Sequence, residues 1–285
     1  MYIILGLSFV LLFLFLSIKP QKESTRKIQN IAKKELRPKA LPSLPTKSKF
    51  TFRKYSHIKK FYKDIINSAI EVGLRYNVPP PALLAIAGVE SGYARGYVGR
   101  ITGNILSLGA NKNEPELPAL YLPHVKNKPY KVVYGSSIRR YKKDDLIWRQ
   151  RRKSLKKDYR PKSIAGTTKE LDYLDTHPKA RIEAYKECIV DFAKRWISKN
   201  KKFKPFQEAR KMLNSAVKSS SKDILFSKEL NEKFIKTISG RRNSFNPRKS
   251  WAPKVIKVMN KVGLTELCRA IYKKHKTFDK AWVEQ

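Results

Sequence analysis

Apolar residues recur at helical spacing over residues 61–76, where Ile65, Ile66, Ala69, Ile70 and Leu74 fall on one face and predict an amphipathic helix. Val78-Pro79-Pro80-Pro81 breaks that helix and opens another over 81–89, which is apolar throughout. Proline in a first turn sacrifices no hydrogen bond, and Gly92, just past the end, supplies the left-handed residue that stops a helix. Between Gly92 and Val133 the helical period disappears. Glycine and proline punctuate this stretch, at Gly96, Gly99, Gly103, Gly109, Pro115, Pro118, Pro123 and Pro129, which predicts loops and short strands. Helical patterns return at about 179–197, 206–217, 224–238 and 252–262. The whole reads as a mainly α fold with a small irregular or β-containing lobe.

Residues 2–18 form an uncharged apolar run, slightly shorter than the ~20 residues a helix needs to cross a bilayer. No charged n-region precedes it and no small-x-small cleavage site follows, so 1–18 reads as a retained membrane anchor rather than a removed signal. Residues 19–52 are Lys-rich, with Pro38, Pro42 and Pro45 among polar residues, and predict a basic flexible tether. The catalytic-sized folded domain is then 53–285. The basic segment 149–157 carries too few apolar residues for a core helix and reads as an exposed insertion.

Glu90 falls in the last turn of the apolar helix, where the helix dipole and the apolar flank both disfavour an ionised carboxylate. A protonated carboxyl group is what a glycosidase needs to donate a proton to a leaving sugar oxygen. Glu114 and Glu116 lie downstream in a loop and are the candidates for a second acid in a two-carboxylate scheme. Tyr93, Tyr141 and Trp251 are candidates for stacking on sugar rings, and Arg139 and Arg140 for binding acidic substituents.

Three segments carry a family resemblance. Glu90-Ser91-Gly92-Tyr93, after its apolar helix, is followed by Gly103-Asn104-Ile105-Leu106-Ser107-Leu108-Gly109. Next comes Ser137-Ile138-Arg139-Arg140-Tyr141-Lys142-Lys143, and then Phe245-Asn246-Pro247 with Trp251-Ala252-Pro253-Lys254-Val255-Ile256 and Val262-Gly263-Leu264. In this order they resemble the glucosaminidase-type peptidoglycan hydrolases of glycoside hydrolase family 73, over about residues 61–267. The resemblance implies a lysozyme-like α+β fold with the small lobe over a sugar cleft, hydrolysis of β-1,4 bonds in the peptidoglycan backbone, and Glu90 as general acid. It also implies that Asn104 holds its loop or touches substrate, and that no metal or organic cofactor is needed. Where the family has a Tyr in the C-terminal segment, this chain has Phe245. A lytic transglycosylase on the same fold, or a catalytically inactive scaffold that binds polyanions, are the alternatives.

Charge narrows the partners. Lys and Arg number 63 against 23 Asp and Glu, a formal net charge of +40, which attracts polyanions, whether nucleic acid, anionic lipid headgroups or phosphate-bearing wall polymers; with the resemblance, the expected partners are peptidoglycan and anionic membrane or wall polymers. Specific nucleic-acid binding is not expected, and a monomer is. Lys19, Lys22, Arg26 and Lys27 follow the apolar run and would hold the domain on the cytoplasmic side, whereas a peptidoglycan substrate demands the periplasm or exterior. The substrate decides for the outer side. Cys188 and Cys268 can pair or lie buried separately; Cys188 shares an apolar face with Ile182, Tyr185, Ile189, Phe192 and Trp196, which favours the core. His57, His124, His177 and His275 have no zinc-ligand spacing.

Overall fold

The computed structural model describes residues 49–284, so the expected anchor at 1–18 and the tether through residue 48 lie outside the described residues. Among the described residues no helix is long and apolar enough to cross a membrane. The helices in chain order are α1 (Ser56–Tyr76), α2 (Pro80–Ser91), α3 (Tyr97–Thr102), α4 (Tyr173–Thr176), α5 (Pro178–Asp191), α6 (Lys204–Ser219), α7 (Lys228–Thr237), α8 (Trp251–Val262), α9 (Leu264–Lys274) and α10 (Phe278–Val283). Three short strands, β1 (Tyr121–Val125), β2 (Lys128–Val132) and β3 (Leu146–Gln150), make an antiparallel sheet in the order β2-β1-β3. The fold is therefore mainly helical with a small β lobe.

The core is built around α2. Every residue from Pro80 to Gly88 is buried, because α1, α7, α8 and α9 surround the helix. A helix apolar on all sides is stable only in such a position. It starts on Pro80 and Pro81 and stops at Gly92, whose φ of 58° is left-handed. The β lobe has its own small core of Ile101, Leu117, Leu120 and Leu122. On the lobe surface Tyr121 and Trp148 remain exposed and stack on each other at 5.7 Å.

Several elements differ from the sequence pattern for identifiable reasons. The helix expected over 224–238 is split: a 3-10 turn, Lys222–Phe226, ends at Ser227, whose hydroxyl accepts the Leu230 N–H at 3.1 Å and starts α7 afresh. The pattern over 179–197 begins as α5, with Ile182 turned toward solvent, and widens into a π-helical segment, Phe192–Ser198. Helix α9 follows α8 after Gly263 alone, too short a break to show in the hydrophobic period. Both cysteines are buried free thiols.

Residues 49–52, assigned to the tether by composition, pack on the folded unit: Phe50 is buried, and the Phe52 N–H donates to the Lys261 carbonyl at 3.0 Å. Next to them, Arg53 is buried with its guanidinium donating to the carbonyls of Val262, Ala281, Trp282, Glu284 and Gly263. Burial without a carboxylate partner lowers its pKa to about 10, with Glu266 pushing the other way. One side chain thus fastens the start of the domain to its last helix.

Candidate active site

Glu90 stands half-buried in the last turn of α2, held there by the cap that ends the helix. The Ser91 hydroxyl donates to the Ala87 carbonyl and accepts the Ala94 N–H at 2.8 Å. Gly92, Tyr93 and Ala94 all have positive φ, at 58°, 59° and 55°. Two consecutive non-glycine residues in the left-handed region cost on the order of 1 kcal/mol each or more, a local strain of the kind concentrated at functional sites.

The indole Nε1 of Trp251 donates to Glu90 Oε1 at 2.7 Å across 161 residues of sequence. Trp251 opens α8 and is only 5% exposed, so it does not offer its ring face to a sugar as expected. Its contribution is a fixed hydrogen-bond donor to the carboxyl group. The indole packs against Phe245 at 5.6 Å, and Phe245 meets Phe192 and Trp196 edge-on, in the π-helical segment. Phe245 is therefore a packing ring, and the polar group that reaches Glu90 from the C-terminal segment is the indole N–H.

A cation completes the surroundings. Lys156 is half-buried, with Nζ donating to the Ser107 carbonyl at 2.5 Å. Burial lowers its pKa, and the nearby Glu90 carboxylate pushes it back up. This residue lies in the segment read as an exposed insertion, and a lysine in a basic run carries no sequence signal that separates it from its neighbours. The adjacent Lys157 points the opposite way, as successive residues of an extended segment do, and pairs with Glu114 at 2.8 Å and Asp191 at 2.6 Å.

Asn104 sets the spacing of these layers. Its buried amide donates to the Leu108 and Lys157 carbonyls and accepts the Leu108 N–H at 2.8 Å. All of its polar capacity goes to holding the loop, and none is left to touch substrate.

Of the two expected second acids, Glu114 is committed to ion pairs. Glu114 accepts from Lys157 through one oxygen and from Arg195 and the Asn111 N–H through the other. Burial raises its pKa, but these donors outweigh it and hold Glu114 at about 2. A group so acidic holds no proton near neutral pH, and its lone pairs are committed. Glu116 Oε2 lies 3.2 Å from the exposed Lys153 ammonium but is buried and makes no hydrogen bond.

Tyr93 and Tyr141 line two cavities that adjoin beside the end of α2, of about 290 Å³ and 360 Å³. Tyr93 packs edge-on against Phe61, Tyr62 and His57, and burial raises its hydroxyl to about 12. Tyr141 accepts a hydrogen bond from Lys131 at 2.7 Å. The structure therefore brings Trp251 onto Glu90, with the Lys156 charge near enough to feel the carboxylate, while Asn104 and Glu114 support the adjoining loop. Among the described residues no group of three or more His, Cys, Asp or Glu is arranged to hold a metal.

No family model matches the chain, and no curated protein matches it. Among solved structures, the catalytic domain of the autolysin Auto from Listeria monocytogenes is similar over 87% of this chain and 98% of that chain, with 15% sequence identity and a TM-score of 0.36.

Proposed function

We propose that the chain is a lysozyme-like glycoside hydrolase that cleaves β-1,4 bonds of the peptidoglycan backbone, in the manner of an N-acetylglucosaminidase, with Glu90 as general acid. One observation carries the reading: the Trp251–Glu90 hydrogen bond. It joins two of the three segments that resemble the glucosaminidases, so motif residues far apart in sequence converge on one carboxyl group. With Oε1 occupied by the indole, Oε2 is the oxygen that protonates the leaving sugar oxygen. A water molecule or the substrate's own acetamido group then attacks the sugar carbon. The substrate-assisted route needs no second carboxylate, which agrees with the engagement of Glu114 in ion pairs. The enzyme works outside the cytoplasmic membrane, retained there by residues 1–18. Protease added to spheroplasts should digest the domain, and its mature N-terminus should still include Tyr2.

Gel clearing on purified peptidoglycan tests the reaction. Wild type should clear the gel and Glu90→Gln should lose at least about 100-fold in rate with an unchanged thermal melt. Equal clearing by both removes Glu90 from the chemistry. Mass spectrometry of the products separates hydrolysis from the lytic transglycosylase alternative, whose anhydro product is lighter by one water. The inactive-scaffold reading draws on Phe245, which brings no hydroxyl to the site, and is met if wild type binds wall and never cleaves it.

A further inference from the structure

The two cavities beside the end of α2 form one basic trough. They share Arg95, Ser137 and Arg140 as common walls, and the 3-10 turn Gly135–Arg140 lies along both. Two of the trough's arginines are already neutralised. Arg100 is paired with Asp175, and Arg181 reaches Asp64 through two hydrogen bonds, at 3.1 and 3.3 Å. Lys60, Arg95, Lys131, Arg140 and Arg151 have no carboxylate partner among the described residues, and all but Arg151 are exposed. With burial, the Arg95 charge lowers the pKa of His57 in the same wall. Five uncompensated cations around a concave surface attract anions. Guanidinium groups take carboxylates in paired, planar hydrogen bonds.

We propose that this trough binds the carboxylate-bearing stem peptide attached to the glycan strand, with Arg95 and Arg140 as its anion-binding residues. The proposal rests on the peptidoglycan reading of the Glu90 site and names a further part of the same substrate. Two observations choose a peptide over a phosphate polymer. First, the wall alternates in sign, because Asp64 and Asp175 stand in it paired with Arg181 and Arg100, and such a wall suits a ligand whose carboxylates are separated by amide or ammonium groups better than a continuous polyanion. Second, Tyr93 lines the trough three residues after Glu90, so a sugar at Glu90 and a side branch in the trough can belong to one molecule.

The test compares cleavage of peptide-bearing glycan strands with strands stripped of peptide by an amidase, using wild type and R95A/R140A. Wild type should prefer the peptide-bearing strands, and that preference, read as a ratio of kcat/KM values, should fall about tenfold in the variant. Titration of the full chain with a sugar-free stem tetrapeptide should show saturable binding that the variant loses, while a thermal melt confirms that it is folded. The proposal is overturned if wild type shows no preference, if the variant loses equally on both strands, or if polyphosphate competes with the tetrapeptide at equal charge concentration. Absence of cleavage of either glycan by wild type would instead strike the hydrolase reading, and the tetrapeptide titration would still decide the trough.

Discussion

Trp251 illustrates how little a residue's type says about its work. The sequence put it in a segment expected to lie near Glu90, and an aromatic there suggests stacking on a sugar; only the fold shows the ring buried and its N–H turned onto Glu90. Trp251→Phe keeps a ring beside Phe245 but removes the donor, and kcat should fall about tenfold, the value of one lost hydrogen bond to a charged or reacting group. Unchanged kcat on purified peptidoglycan would mean that the bond does not order the acid. Glu114 was legible as a loop carboxylate but not as an ion pair, because Lys157 and Arg195 reach it from 43 and 81 residues away. Its pKa is lowered from 4.5 to about 2, so the stability it contributes is fully present above pH 4.5 and is lost as pH falls toward 2. Urea titrations should find Glu114→Gln less stable than wild type at pH 6, by about 1 kcal/mol once solvent screening of this partly exposed cluster is allowed for, with the gap closing through that acid window. A gap independent of pH would assign the loss to packing.

Among the elements, α2 was the most legible, since an all-apolar helix bounded by Pro and Gly has one physical solution, which is burial. Which side chains of its neighbours would press on it was not legible. Gly88 lies mid-helix, where alanine normally adds about 1 kcal/mol of stability. Here a Cβ would stand 2.6 Å from the Tyr62 hydroxyl oxygen and 3.1 Å from the Tyr93 ring. Tyr62 is fully buried and has nowhere to retreat, so Gly88→Ala should destabilise by about 1–3 kcal/mol, the usual cost of overpacking. Chemical denaturation that shows a gain would mean the rings yield. The helices the pattern misjudged were interrupted by local chemistry that periodicity does not record: a serine cap at Ser227, a single left-handed Gly263 and a π-helical segment after Asp191.

For the molecule as a whole, Arg53 and the net charge act at opposite ends of the distance scale. Arg53 ties the domain's first turn to α10 through carbonyl oxygens spread over a planar fork, which a lysine ammonium cannot match. Arg53→Lys should lower stability by about 2–4 kcal/mol in urea unfolding, and a near-neutral result would show that the clamp is redundant. The +40 charge should make adsorption to intact wall fall steeply as salt rises past about 0.1 M, where the Debye length shrinks below ~10 Å. Salt-insensitive binding would point to sugar contacts instead. The sequence by itself determined its own net charge, the helical class and the apolar helix that carries Glu90, because charge balance, periodicity and helix-stop residues are local properties of the chain. Tertiary structure alone decided that Trp251 donates to Glu90, that Glu114 is locked in an ion pair, and that Arg95 and Arg140 remain unpaired in one trough. Those outcomes depend on which distant groups packing brings within about 3 Å, and hydrogen bonds and desolvated charges act only at that range.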